Sequence, residues 1–523
     1  MPLTCIRHTD LPNTSRLFVD FLYEFDRVRP FYSHAPLEAD SFAAAAGEIQ
    51  YPDDRRAALV AALAEINAPG DALDRLARPG TVAVVTGQQV GLYSGPTYTV
   101  YKALTAAKLA KRLTESGIAA VPVFWLATED HDFDEVRVAW TFDNGHQTSS
   151  LSLDSTLASG GPVGSIAPSS YPNQALRQTL QDFPHGKEVA ALVEECYRPG
   201  ASLGGAFREL LTRLLSGYGL LVIDPSRPSV RQLARPLIEA ALANAPGLTE
   251  HLLARNRRLA GLGYHAQVHV EEHTSLVFLL EGGKRVALKR KDDDYFAAAR
   301  KLTRDDLLSS DLSPNALLRP VVQDAILPTA AYIGGPAELA YLAQAEVLYR
   351  ELLGRMPVVL PRASFSLTDF RANKLLNRYD LELTDLFHGI DPLRERIARK
   401  LVPPELSDSL QQAHHGTMSS IDQLAARLDG FDPSLGAALV KNRQKIQHQL
   451  GKIEGKIRRE ALKRDGRAAS DAEWLYNLLF PHKHLQERIY SILPFIARHG
   501  PDLIDRIYDQ VELGCPDHRV LEI

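Results

Sequence analysis

Cysteine, long apolar runs and net charge are all scarce in this sequence, and each shortage excludes something. Only three cysteines, Cys5, Cys196 and Cys515, occur in 523 residues. An odd number so widely spaced offers neither a disulfide framework nor a paired-cysteine metal clip, and it suits a reducing compartment. No apolar run approaches the ~20 residues that span a bilayer. The opening MPLTCIRHTDLPNTSRLF has no basic stretch followed by an apolar one, so the expectation is a cytoplasmic protein with no membrane partner. A formal charge of −5 on a chain that is 24% charged gives no global argument for nucleic acid, and any charged function must be local. Length and an apolar content of 45% predict two or three cores, because single cores seldom exceed roughly 250 to 300 residues.

What is present is alternation. TVAVVT at 81–86 is a short β-branched run, and Pro96 to Glu115 follow with helical spacing, with Lys102, Lys108, Lys111 and Arg112 read on outward turns. VPVFWLA (121–127), LLVID (220–224), ILPTAAYIGG (326–335) and MPVVLP (356–361) repeat the strand pattern between helical segments. Continuous apolar strands alternating with amphipathic helices predict a parallel sheet covered on both faces. Period-two stretches around 136–166 and 265–290 predict antiparallel hairpins, the second turning at Gly282 and Gly283. Beyond about 380 strand patterns vanish. Leu439, Ile446, Leu450, Ile453 and Ile457 then recur as a coiled-coil seam that Arg443 interrupts. The expectation is a helical hairpin with 405–429 that also dimerises, followed by a tail broken by Pro481 and Pro494 that packs back on the core.

Chemistry concentrates at two strand ends. In an open α/β sheet, ligands bind outside the carboxyl ends of the strands. After the first strand come Gly87, Gln88, Gln89, Gly91, Tyr93 and Gly95, with Thr97, Tyr98 and Lys102 in the following helical turns. Glycines permit close backbone approach, glutamines donate and accept, and a helix opening near Pro96 would present free donors to a carboxylate or phosphate. The bland alternative is a glycine-rich turn capped by polar residues. After the second strand, TEDHDFDE sets Glu129, Asp130, Asp132, Asp134 and Glu135 around His131, a group able to orient an amine or carry its proton. A solvated acidic turn is the competing reading, and a metal stays unresolved because loop spacing fixes no geometry. In the third block Gly334, Gly335 and Pro336 repeat the strand-glycine-helix logic, with Glu338 as a cap. His269, Glu271 and His273 would share one strand face as a zinc triad, though such a face is usually just wet. The basic run 441–464 is read as a solvated coiled-coil face rather than a nucleic-acid surface.

TGQQVGLYSGPTYTVYKALTAAKLA and VPVFWLATEDHDFDEV, together with RPVVQDAILPTAAYIGGPAELAYLAQ and FPHKHLQERIYSILPFIARHG, closely resemble the signature of the bacillithiol-biosynthesis cysteine-adding enzymes, the BshC family, over nearly the whole chain. The resemblance implies a Rossmann-like, nucleotidyltransferase-type core at 1–380, with connecting segments inserted near 136–215 and 226–318. It also implies a coiled-coil arm at 381–468 that makes a homodimer, and a helical segment at 469–523. No HIGH-like or KMSKS-like motif is present, so the activation step does not carry over. The implied reaction joins the carboxyl of cysteine to the glucosamine amine of glucosaminyl malate, with ATP as the activating cofactor, held here or in a second pocket. On this reading His131, Glu129 and Lys102 serve catalysis. Gly87, Gln88, Gln89, Gly91, Tyr93, Gly95, Thr97, Tyr98, Asp130, Asp132, Gly334, Gly335 and Arg362 line the substrates, and Arg319 or Arg362 would pair with malyl carboxylates. Two alternatives stay open: a non-catalytic nucleotide- or sugar-binding dimer, and a transferase using a preactivated cysteine donor.

Overall fold

The computed structural model describes residues 4–158, 160–291 and 294–523. The chain divides into two compact units, one running to Ser366 and resuming at Glu487–Leu521, the other spanning Leu367–Gln486.

The first unit is built on a five-stranded parallel sheet. Its spatial order is Leu221–Ile223, Ala120–Leu126, Val82–Gln88, Thr329–Gly334, Val358–Pro361, or 3-2-1-4-5 when these strands are numbered along the chain. That is the Rossmann order, in which the crevice between the first and fourth strands is the topological switch point. The alternation of side chains explains the apolar runs. Val82 and Val84 face Ala106, Leu109, Ala110 and Leu113 of helix Tyr98–Glu115, while Ala83 and Val85 join the opposite core with Val123, Trp125 and Ile223. Both faces are covered, so neither can carry polar residues, as parallel sheets require.

Two long insertions interrupt the alternation. The first contains the antiparallel pair Val138–Phe142 and Thr148–Ser152. The second carries a five-stranded antiparallel sheet whose central hairpin, Thr274–Glu281 and Lys284–Lys291, turns at Gly282 (φ 57) and Gly283 (φ 73), a conformation glycine adopts at least cost. The strand starts at Thr274, so His269, Glu271 and His273 lie in the preceding turn, closed by Glu271 N–H donating to Thr274 Oγ1 at 2.7 Å. They do not share a strand face.

The second unit is helical. Pro404–Asp429 and Pro433–Asp465 form an antiparallel hairpin, tied across by Arg443 to Asp422 at 2.7 Å. The expected seam is only partly covered, with Ile446 37% and Ile453 50% exposed. Among the described residues no helix is long and apolar enough to cross a membrane.

Candidate active site

At the switch point the side chains expected from sequence assemble into one hydrogen-bonded network. Gln88 ends the first strand. Its Oε1 accepts from Lys102 Nζ at 2.9 Å, and its Nε2 donates to Gln89 Oε1 at 2.9 Å and to the Tyr98 hydroxyl at 3.2 Å. Gln89 Nε2 in turn donates to Asp130 Oδ2 at 3.1 Å and Glu135 Oε2 at 2.6 Å. The amide pair therefore has its orientation fixed by the two flanking strand ends.

Lys102 is not outward. It is 3% exposed, donates to the carbonyl of Gly87 at 2.9 Å and to Gln88, and pairs with Glu338. All three ammonium protons are thereby used. Burial pushes its pKa down, against the pull of Glu338. Glu338 also accepts from the Tyr332 hydroxyl at 2.6 Å and from Gly335 N–H at 2.8 Å, so it caps its helix and neutralises the lysine together. Burial would raise its carboxyl, but Lys102 and these donors more than offset that and hold it low.

Several donors at the helix ends are engaged, among them the N–H groups of Thr97 and Gly335. Thr97 is buried, with both N–H and Oγ1 donating to the carbonyl of Tyr490, at 2.7 and 2.6 Å, and helix Tyr98–Glu115 starts two residues after Pro96. Tyr93 turns away from the crevice, donating to Asn173 Oδ1 at 2.8 Å and stacking edge-on with Tyr197. The glycines answer to packing within the protein. A Cβ at Gly87 would lie 2.9 Å from the carbonyl oxygen of Trp125, one at Gly91 2.9 Å from Gly95 Cα, and one at Gly334 2.8 Å from Leu339. Gly95 has φ +64 and ψ −163, which only glycine adopts readily.

The acidic segment is split by its own alternation. Asp130 and Glu135 face Gln89. Glu135 is raised by burial and then by the charges of Asp130 and Asp132, while Asp132 caps the short helix Phe133–Val136. Glu129 points to other partners: Arg231, within 3.2 Å, and Ser313, whose hydroxyl donates at 3.0 Å. Burial raises its pKa to about 7 despite these partners. His131 is half exposed, and its Nδ1 accepts from Arg285 at 3.1 Å. A guanidinium only donates, so this contact leaves the ring proton on Nε2.

Both arginines proposed for carboxylate recognition are occupied. Arg362 makes a bidentate pair with Glu487 at 2.8 and 2.5 Å, and Arg319 donates to Gln323 at 3.1 Å and to the Tyr341 hydroxyl at 2.7 Å. Sequence reasoning passed over Glu338 as only a cap, and over Arg231 and Arg285. Arg231 follows the third strand and was findable from topology; Arg285 comes from the inserted hairpin, and no local signal marks it.

The cluster at the switch point consists of carboxylates, amides and a phenol beside a lysine neutralised by Glu338. Lys102 and the Thr97 and Gly335 N–H groups are engaged within the protein and offer nothing to a phosphate. A Rossmann-like sheet with a polar crevice at its switch point, two insertions and a separate coiled-coil unit defines the class. Residues 1–363 match the Bacillithiol biosynthesis BshC, N-terminal Rossmann-like domain, and residues 365–523 the BshC C-terminal coiled-coil domain. Relatives named "Putative cysteine ligase BshC" include one from Solibacter usitatus, 54% identical over 100% of both chains. Another from Koribacter versatilis is 37% identical over 99% of both, and one from Salinibacter ruber is 30% identical over 97% of this chain and 96% of the relative. The chain belongs to the BshC family of bacillithiol biosynthesis and is a ligase-family enzyme.

Proposed function

We propose that this chain forms the amide bond between the carboxyl of cysteine and the glucosamine amine of glucosaminyl malate, the last step of bacillithiol synthesis, as a cytoplasmic homodimer. The observation that carries the reading is the Gln88–Gln89–Asp130–Glu135 cluster at the switch point, whose charge suits an ammonium group ringed by sugar hydroxyls. Asp130 and Glu135 hold the amine, and the two glutamines and Tyr98 orient the hydroxyls. Lys102 and Glu338 hold Gln88 in place as positioning residues. His131, half exposed beside Asp130, takes on Nδ1 the proton that the attacking amine must lose, once Arg285 releases that nitrogen.

An amine cannot expel oxide from a carboxylate, so the proposal includes ATP, which would supply activation as an acyl phosphate or adenylate. Dimerisation is assigned to the helical unit, where Phe431 is 83% and Val440 52% exposed besides Ile446 and Ile453; solitary exposed apolar residues are normal, but a row along one hairpin is not.

The test is product formation by purified protein, read by mass spectrometry. Wild type should yield the cysteinyl amide only when ATP is present. Gln89→Ala and His131→Ala should reduce it at least tenfold while folding and dimerising normally. Product without ATP would favour the transferase reading, and full activity in both variants would remove the crevice from the reaction.

A further inference from the structure

The C-terminal block, which returns to the first unit at Glu487, carries a cation that the proposed reaction leaves unused. Glu487 accepts from Arg362 Nη1 at 2.8 Å, from Ser364 Oγ at 2.9 Å and from Phe365 N–H at 3.1 Å. Three residues on, the carbonyl of Tyr490 accepts from Thr97 N–H at 2.7 Å. Both ends of segment 487–490 are thereby fixed to the surroundings of Tyr98, because Thr97 precedes it and the Arg362 guanidinium lies 5.2 Å from the centre of its ring. Glu487 and Tyr490 are buried, while Arg488 between them is exposed. Among the described residues Arg488 makes no hydrogen bond or ion pair. Its charge still acts on the Tyr98 phenol, whose pKa burial raises to about 12; Arg488 opposes that rise more than Arg362 does. Arg362, Glu135 and Glu338 also act on the phenol, but each is already engaged, with Glu487, Gln89 and Lys102 respectively. Arg488 is left unneutralised at the edge of the cluster.

We infer that Arg488 binds a carboxylate of the acceptor substrate and so sets acceptor specificity. Its guanidinium offers paired N–H donors, the geometry that a carboxylate accepts best. Hydrogen bonds run from Asp130 and Glu135 through Gln89 and Gln88 to the Tyr98 hydroxyl, and Arg488 stands beside that phenol. The cluster is therefore acidic at one end, neutral and hydrogen-bonding in the middle, and basic at the other. Its complement is a molecule with an ammonium group, hydroxyls and a carboxylate. This deepens the proposed function and rests on it for the acceptor's identity, since glucosaminyl malate has the amine, the sugar hydroxyls and two malyl carboxylates. Arg319 and Arg362, expected from sequence in that role, are held by internal partners. Because Arg488 is exposed, water and salt screen its pull, and the discrimination it gives is about tenfold at low ionic strength.

Calorimetric titration of the full chain with glucosaminyl malate and with methyl glucosaminide, which keeps the amine and hydroxyls but lacks the carboxylates, tests it without requiring turnover. Wild type should bind glucosaminyl malate about tenfold more tightly at low salt, and the gap should narrow as salt is raised. Arg488→Gln should remove the gap by weakening glucosaminyl malate alone. Arg488→Lys, which keeps the charge but loses the fork, should restore part of it. In the ligase assay Arg488→Gln should raise KM for glucosaminyl malate about tenfold while kcat and the KM for cysteine hold, the mark of a contact made equally in the ground and transition states. Equal binding of the two acceptors by wild type, binding of neither, or a gap of wild-type size in Arg488→Gln would each overturn the inference. Ligation by Arg488→Gln with an unchanged KM would overturn it and leave the proposed reaction intact. A gap that Arg488→Gln removes, in a wild-type protein that forms no ligated product, would overturn the proposed reaction and leave the carboxylate site standing.

Discussion

Replacing Glu129 by glutamine should change how stability depends on pH. Burial raises this carboxyl from 4.5 to about 7, so the folded protein holds the proton more tightly than the unfolded chain. Its contribution to stability is therefore complete below pH 4.5 and is lost as pH rises through about 7. At 1.36 kcal/mol per pH unit of displacement, that loss between pH 5 and pH 8 comes to about 2 to 3 kcal/mol. Glu129→Gln removes the titration. It also takes a partner from Arg231, but that group is partly exposed and keeps Asp311 at 3.5 Å, so the offset is nearly the same at both pH values. Urea unfolding of wild type and variant at pH 5 and 8 separates the two effects. The wild type should lose about 2 to 3 kcal/mol more than Glu129→Gln across that interval. Identical changes in the two proteins would show that Glu129 ionises as an ordinary surface carboxyl, and the effect ascribed to its burial would be wrong.

Other perturbations have expected signs as well. Lys102→Met strands Glu338 in the interior and should destabilise by about 3 to 5 kcal/mol in urea unfolding, with Glu338→Gln in the same chain recovering part of the loss. Arg362→Met should cost a similar amount at neutral pH, because Glu487 is 1% exposed. Although burial raises the Glu487 carboxyl, Arg362 chiefly, with His518 and Ser364, brings it down to about 2. Its contribution is therefore present above pH 4.5 and lost as pH falls through about 2, so acid unfolding of the variant should be less steep there. Ile446→Asp with Ile453→Asp should turn the proposed dimer into a monomer on sedimentation while leaving the far-ultraviolet dichroism unchanged.

Much of the sheet was legible because a strand buried on both faces must be largely apolar, as Val82–Gln88, Ala120–Leu126 and Thr329–Gly334 are. The hairpin turn at Gly282 and Gly283 was legible because few other residues tolerate it. Lys102 was misplaced because the first turns of helix Tyr98–Glu115 are buried all round, from Thr99 to Ala107, so no polar face exists there to hold a solvated lysine, and its partner Glu338 lies in a distant block. The glycine loop was read as shaped for a ligand; Gly87 and Gly91 answer instead to Trp125 and Gly95. The division of the acidic run was not legible, since which carboxylate meets Gln89 and which meets Arg231 depends on an inserted sheet whose placement leaves no local trace in sequence.

The central claim is the ligation itself. Purified wild-type protein given L-cysteine, glucosaminyl malate and ATP, followed by mass spectrometry of the thiol-labelled products, tests it most directly. ATP-dependent appearance of the cysteinyl amide is the expected result. Folded, dimeric protein that forms no amide under these conditions would contradict it.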